Sequence, residues 1–159
     1  MKKKGNTLME IILTVVWISI CIIPMIYTYN ELIYLQLKLF HKYQALVLTQ
    51  KNIEVLTNMS RGNWTYIVSQ QKNRPLTLTK NVSTGFWEIT NGRTQDGIYT
   101  NYFRLEKVCR SDTFVQYSCG NPGGPIEDVN NIKVTSYTTW EIRGIPQTTE
   151  LTTNLNRNL

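Results

Sequence analysis

The sequence predicts an α+β protein in which a long N-terminal α-helix, its first half transmembrane, packs against a C-terminal antiparallel β-sheet. Three observations predict it. Residues 11–30, IILTVVWISICIIPMIYTYN, run for 20 residues without a charge. Apolar residues then recur at three-to-four spacing, and short β-prone runs separated by turn residues fill the remainder. The composition agrees, with one alanine, Ala45, against twenty threonines and fifteen asparagines, a bias toward strands and turns.

At about 1.5 Å per residue the apolar run spans a hydrocarbon core of roughly 30 Å. It is apolar on every face, which suits a membrane span better than the core helix of a 159-residue chain. Lys2, Lys3 and Lys4 precede it and no basic residue follows until Lys38, so the N-terminus is expected in the cytoplasm and the rest outside it. A cleaved secretory signal would carry a shorter apolar run followed by a small-residue site, and neither is seen. Glu10 stands at the start of the run. An acid there either marks function or is an interfacial carboxylate stabilised by the positive end of the helix. Pro24, inside the run, is expected to kink or locally unwind it.

Leu32, Leu35, Leu39, Tyr43, Leu46 and Ile53 continue the helical spacing with Lys38, Lys42 and Gln44 between them. This amphipathic segment, 31–57, is expected to lay its apolar stripe on the globular domain, with a coiled-coil seam as the alternative. The cluster at 58–63 ends the helix. β-prone runs follow at 65–68, 75–80, 85–89, 97–108, 113–117, 132–142 and 147–155, the last two forming a hairpin around Gly144-Ile145-Pro146 with one alternating face packed on the helix. The domain thus occupies 58–159.

Charge and cysteine usage exclude several classes. The net charge of +6 includes the three N-terminal lysines, and residues 52–159 carry eleven Lys/Arg against nine Asp/Glu, a near-balance without the field of a nucleic-acid groove. Nucleic-acid capture would need Arg93, Arg104, Lys107, Arg110 and Lys133 to cluster in space. Cys21, Cys109, Cys119 and the single histidine, His41, are too few and scattered for a zinc site. Cys109 and Cys119, ten apart in an extracytoplasmic domain, are expected to bridge, stabilising by roughly 2–3 kcal/mol; two reduced thiols are the alternative. Glu127-Asp128 lacks the spacing of a calcium loop. Triplets at Asn58, Asn63 and Asn81 fit the N-glycosylation pattern but arise readily in an Asn/Thr-rich chain. There is no phosphate loop, nucleophile elbow or HExxH stretch. No catalytic residue, metal or cofactor is expected, and the chain does not read as an enzyme.

KKKGNTLMEIILTVV resembles the N-terminus of type IV pilins and pseudopilins, matching at Gly5, Thr7, Leu8 and Glu10, with Met9 in place of the usual isoleucine. The resemblance implies a prepilin leader at 1–5, cut by a prepilin peptidase between Gly5 and Asn6, methylation of the new amino terminus, and an assembly helix over 6–30 that is kept. The residue after the cut is usually phenylalanine and is Asn6 here. It also implies that Glu10 pairs with the N-terminal amine of a neighbouring subunit and sets the filament register. FRLEKV at 103–108, then DVNNIKVTSYTTWEIRG and QTTELTTNL, looks like the C-terminal pattern of minor pilins and pseudopilins of the V and I types. The implied function is a minor structural subunit that primes or tips a type IV pilus or a type II secretion pseudopilus. Implied partners are other pilin subunits, the peptidase, and an inner-membrane assembly platform with its cytoplasmic ATPase. The alternative is a single-pass anchored extracellular binding domain that does not polymerise.

Overall fold

The computed structural model describes residues 4–70, 74–110, 116–118 and 126–157. The chain separates into two compact units, one ending at His41 and one beginning at Lys42. Helix α1 (Lys4–Gly62) supplies all of the first described unit and the opening of the second. Helix α2 (Trp64–Ser69) follows, then strands β1 (Leu76–Lys80), β2 (Trp87–Asn91), β3 (Thr94–Asp96), β4 (Tyr99–Arg110), β5 (Gln116–Ser118), β6 (Ile126–Ile142) and β7 (Ile145–Asn156). They form one antiparallel sheet in the order β2-β1-β4-β6-β7, with β3 and β5 also paired to β4.

The long alternating strands lie where their period of two places them. In β7, Thr149 and Leu155 are buried and Leu151 and Thr153 half-buried, while Glu150, Thr152 and Asn154 between them are exposed. In β6 the inward set Ile132, Val134, Ser136, Thr138 and Trp140 is buried. Phe103 and Leu105 of β4, Leu76 of β1, Ile89 of β2, Ile67 of α2 and Leu56 of α1 join them in one core. Between Lys107 and Cys109 the β4–β6 register shifts, and Val108 and Cys109 are both buried there, as a β-bulge produces.

Four local expectations are corrected. The run at 65–68 is the short helix α2, not a strand, because the Asn63 side chain accepts from the Tyr66 amide at 3.0 Å and caps a helical turn. That turn buries Ile67 completely, and the Tyr66 hydroxyl accepts from the Ile89 amide at 3.1 Å. Thr94–Asp96, which lies between the expected runs at 85–89 and 97–108, is a short strand paired with the start of β4. The β6–β7 hairpin turns on Arg143-Gly144, with Ile142 opposite Ile145, so Ile145 and Pro146 already belong to β7. Arg143 (φ 53°) and Gly144 (φ 77°) both lie in the left-handed region, the type I′ geometry that matches strand twist.

The fourth correction concerns the helix. Of the predicted stripe, Leu32, Leu35, Leu39, Tyr43 and Leu46 are exposed and only Ile53 is half-buried. What α1 buries against the sheet is instead Ala45, Thr49, Leu56 and Ser60, with Asn52 half-buried. These positions follow the three-to-four spacing, but all except Leu56 are small or polar residues. α1 is assigned as unbroken helix through Pro24, so the chain does not unwind there.

Candidate functional site: an apolar helix face and a polar seat

Every described side chain at positions 7–33 is exposed. The segment is long and apolar enough to cross a membrane, and none of its most apolar window is buried. Three of its hydroxyls are satisfied within the helix. Thr14 donates to the Glu10 carbonyl at 2.7 Å, Ser19 to Val15 at 2.8 Å and Thr28 to Pro24 at 2.6 Å. Hydroxyls bonded back one turn are the form in which such residues are tolerated in lipid. Pro24 has no amide hydrogen, which leaves the Ile20 carbonyl without its helical donor.

Glu10 is exposed in the second described turn of α1. Lys4, Gly5 and Asn6 form the first turn, and Lys2 and Lys3 lie outside the described residues. A lone carboxylate on this apolar surface is costly in lipid unless a cation from elsewhere meets it.

The apolar exposure does not stop where a bilayer would. Leu32, Ile33, Leu35, Leu37, Leu39, Phe40, Tyr43, Leu46 and Val47 are all more than 40% exposed. At about 1.5 Å per residue, residues 11–47 far exceed the roughly 30 Å of a hydrocarbon core. Isolated surface leucines are ordinary, but a patch this extended marks an interaction surface.

On its other side the second half of the helix is seated by hydroxyls. Thr49 shares its proton between the Ala45 carbonyl at 2.7 Å and Thr138 Oγ1 at 2.8 Å. Thr138 donates to Asn101 Oδ1 at 2.6 Å, and Asn52 Nδ2 donates to Ser136 Oγ at 3.2 Å. Thr49, Ser136 and Thr138 are fully buried, so each bond forms where an unmade one costs most. The sequence signal was Ala45 and Thr49 one turn apart; reading for large apolar residues passed over it. Beside this seat, Lys51, Asn52, Trp87, Thr94, Asp96 and Asn101 line a cavity of about 200 Å³, with Lys51 Nζ 5.9 Å from the Trp87 ring centroid.

The sheet face away from the helix gathers three of the five scattered basic residues. The Arg93 guanidinium lies 4.7 Å from the Tyr102 ring centroid, Tyr102 stacks on Tyr137 at 5.0 Å and 15°, and Arg104 lies 5.7 Å from Tyr137. Lys133 pairs with Glu106 at 2.8 Å. That hydrogen bond holds the Lys133 ammonium above its ordinary range, against the opposing effect of partial desolvation. Lys107 is exposed at the β4 bulge, and the Arg110 side chain lies outside the described residues.

The remaining expected residues are dispersed. Cys109 is buried and disulfide-bonded; its expected partner, Cys119, lies outside the described residues. Cys21 is a free, exposed thiol in the apolar segment. His41 packs edge-on to Phe40 at 5.7 Å. Asp128 accepts from the Asn130 amide and from the Asn131 side chain, and Glu127's side chain is outside the described set. Among the described residues, no three His, Cys, Asp or Glu side chains come close enough to hold a metal ion. No family model, curated protein or solved structure matches this chain.

Proposed function

We propose that the chain is a structural subunit of a helical filament of the type IV pilus or type II secretion pseudopilus kind, a minor one that primes or tips the filament. A prepilin peptidase cuts it between Gly5 and Asn6, and an inner-membrane platform with its cytoplasmic ATPase assembles it with other pilin subunits. Before assembly it sits in the cytoplasmic membrane with its N-terminus inside and the β-domain outside.

The observation that carries this reading is the exposed apolar surface of α1, which continues to Val47, well past what a lipid core covers. A simple anchor has no use for exposed Leu39, Phe40, Tyr43 and Leu46, whereas a helix packed among copies of itself does. Burying that surface would also bury Glu10, which then needs a cation, and the free α-amine made by cleavage before Asn6 supplies one. The anchored, non-polymerising binding domain explains the first 30 residues but leaves the rest of the stripe wet.

Glu10→Leu tests the reading. The variant is expected to insert in the membrane at the normal level and to be lost from sheared filaments by at least about tenfold, the cost of leaving an interface amine unpaired. Incorporation at the parental level would remove Glu10 from assembly.

A further inference from the structure

The cavity beside the hydroxyl seat carries two charges that the fold itself does not use. It lies within the unit beginning at Lys42, walled by α1 and strands β1 to β4, and has a volume of about 200 Å³. Lys51 of α1 and Asp96 of β3 both line it. Neither forms an ion pair with the other or with any side chain among the described residues. The Lys51 ammonium lies 5.9 Å from the centre of the Trp87 ring, a cation–π contact that holds it at that wall. Asn101 of β4 also lines the cavity and is only 8% exposed. Its Oδ1 accepts from Thr138, while its Nδ2 donates to no group among the described residues and is not sealed off from the surface. The cavity is therefore where that NH2 opens. Asn52 is used the other way round: its Nδ2 donates to Ser136 and its Oδ1 accepts nothing among the described residues. A cation, a carboxylate, a buried amide donor and an amide acceptor thus border one small space, each with bonding capacity to spare.

The lining decides the class of ligand. An anion alone would meet Asp96 unfavourably, and a cation alone would meet Lys51 unfavourably. A neutral sugar would take water from both charges and give neither a counter-charge, and a peptide end carries only one of the two signs. A small molecule bearing both signs answers both. The rest of the wall is apolar, made by Leu48, Val55, Leu78 and Trp87. The volume falls below the roughly 300–1,000 Å³ of pockets that take drug-sized ligands, which limits the occupant to a few atoms beyond its two charged groups. We propose that the cavity binds a free α-amino acid with an apolar side chain. Its carboxylate meets Lys51 and Asn101 Nδ2, its ammonium meets Asp96 and Asn52 Oδ1, and its side chain lies against Trp87. Hydrogen bonds of this kind, with both partners charged or one of them, are the strong ones. The inference stands on the cavity alone and does not rest on the filament reading.

The test uses the full chain in detergent micelles and equilibrium dialysis against L-leucine, with three competitors: 4-methylpentanoate, which lacks the amine, 3-methylbutylamine, which lacks the carboxylate, and methyl glucoside. L-leucine is expected to bind saturably, and each single-charge analogue at least about tenfold more weakly. Lys51→Met is expected to weaken L-leucine at least about tenfold while leaving 3-methylbutylamine within about twofold. Asp96→Asn is expected to weaken L-leucine by a similar factor without weakening 4-methylpentanoate. Both positions are exposed, and the analogue that each variant still binds shows that its cavity is intact. Arg157→Gln, exposed just past the end of β7 on the far edge of the sheet, should stay within about twofold, as a distant charge does. No saturable binding of L-leucine up to about 10 mM would overturn the proposal. So would a single-charge analogue binding as tightly as L-leucine, methyl glucoside binding more tightly, or an equal loss in Arg157→Gln.

Discussion

Thr138→Val isolates the hydroxyl seat that holds α1 on the sheet. Valine has the shape of threonine, so the change leaves packing intact and removes one oxygen from a fully buried site. That oxygen bonds Thr49 at 2.8 Å and Asn101 at 2.6 Å. Asn101, only 8% exposed, would lose the donor to its carbonyl oxygen, whereas Thr49 keeps its bond to the Ala45 carbonyl. One net hydrogen bond at about 1 kcal/mol, plus the unmet desolvation of a buried acceptor at about 1–2 kcal/mol, gives a loss of about 2–3 kcal/mol. For a unit of this size that lowers Tm by roughly 6–15 °C. Thr49→Val should cost about 1 kcal/mol, since Thr138 retains Asn101. The double variant should fall short of the sum by at least about 0.5 kcal/mol, the signature of a direct contact. Thermal unfolding in micelles, followed by the fluorescence of buried Trp140, reads all four proteins. A Thr138→Val protein melting within about 2 °C of the parent would show that shape alone seats the helix.

Three further outcomes follow from local geometry and charge. Arg143→Asn should raise stability by about 0.5 kcal/mol, because asparagine tolerates the left-handed backbone better than arginine and Asn-Gly is the preferred type I′ pair. Gly144→Ala should cost about 1 kcal/mol on conformation alone, since an added Cβ would meet nothing closer than Glu141 Oε1 at 3.8 Å; denaturant midpoints check both. Burial raises the Tyr99 phenol above its ordinary range, and the Glu106 hydrogen bond raises Lys133. Both groups hold their protons more tightly folded than unfolded, so their effect on stability is constant below about pH 10 and stability falls as pH rises beyond it. Tm measured from pH 8 to 11 should decline only at the alkaline end, and Lys133→Met should soften that decline; a decline already under way at pH 8 would contradict the assignment.

Much of this fold was legible because its signals are periodic. The uncharged run at 11–30 favours a membrane span over a core helix, and the alternation in β6 and β7 marks half-buried strands. The apolar stripe at Leu32 to Leu46 misled because large apolar residues are expected to seek a core, while the sheet took the side bearing Ala45 and Thr49. Only the threonine-rich β6 opposite explains that choice, since its Thr138 and Ser136 offer hydroxyls and room rather than an apolar floor. At 65–68 the β-branched residues concealed a capped helical turn, because the Asn63 cap and the docking of Ile67 outweigh weak propensity. On the outer face, Arg93, Arg104 and Lys133 were visible as basic residues. Their assembly around Tyr102 and Tyr137 was not, since it depends on a cross-strand register set in part by the short β3 hairpin.

The proposed function requires that α1 be an assembly element released from a leader. The mass of the N-terminal peptide, from protein made in its own cells or in a host carrying a prepilin peptidase, tests it most directly. A chain beginning at Asn6 is expected, with its α-amine free to take a methyl group and to meet Glu10 of a neighbour. A chain beginning at Met1 in the presence of an active peptidase would contradict it and leave α1 a membrane anchor.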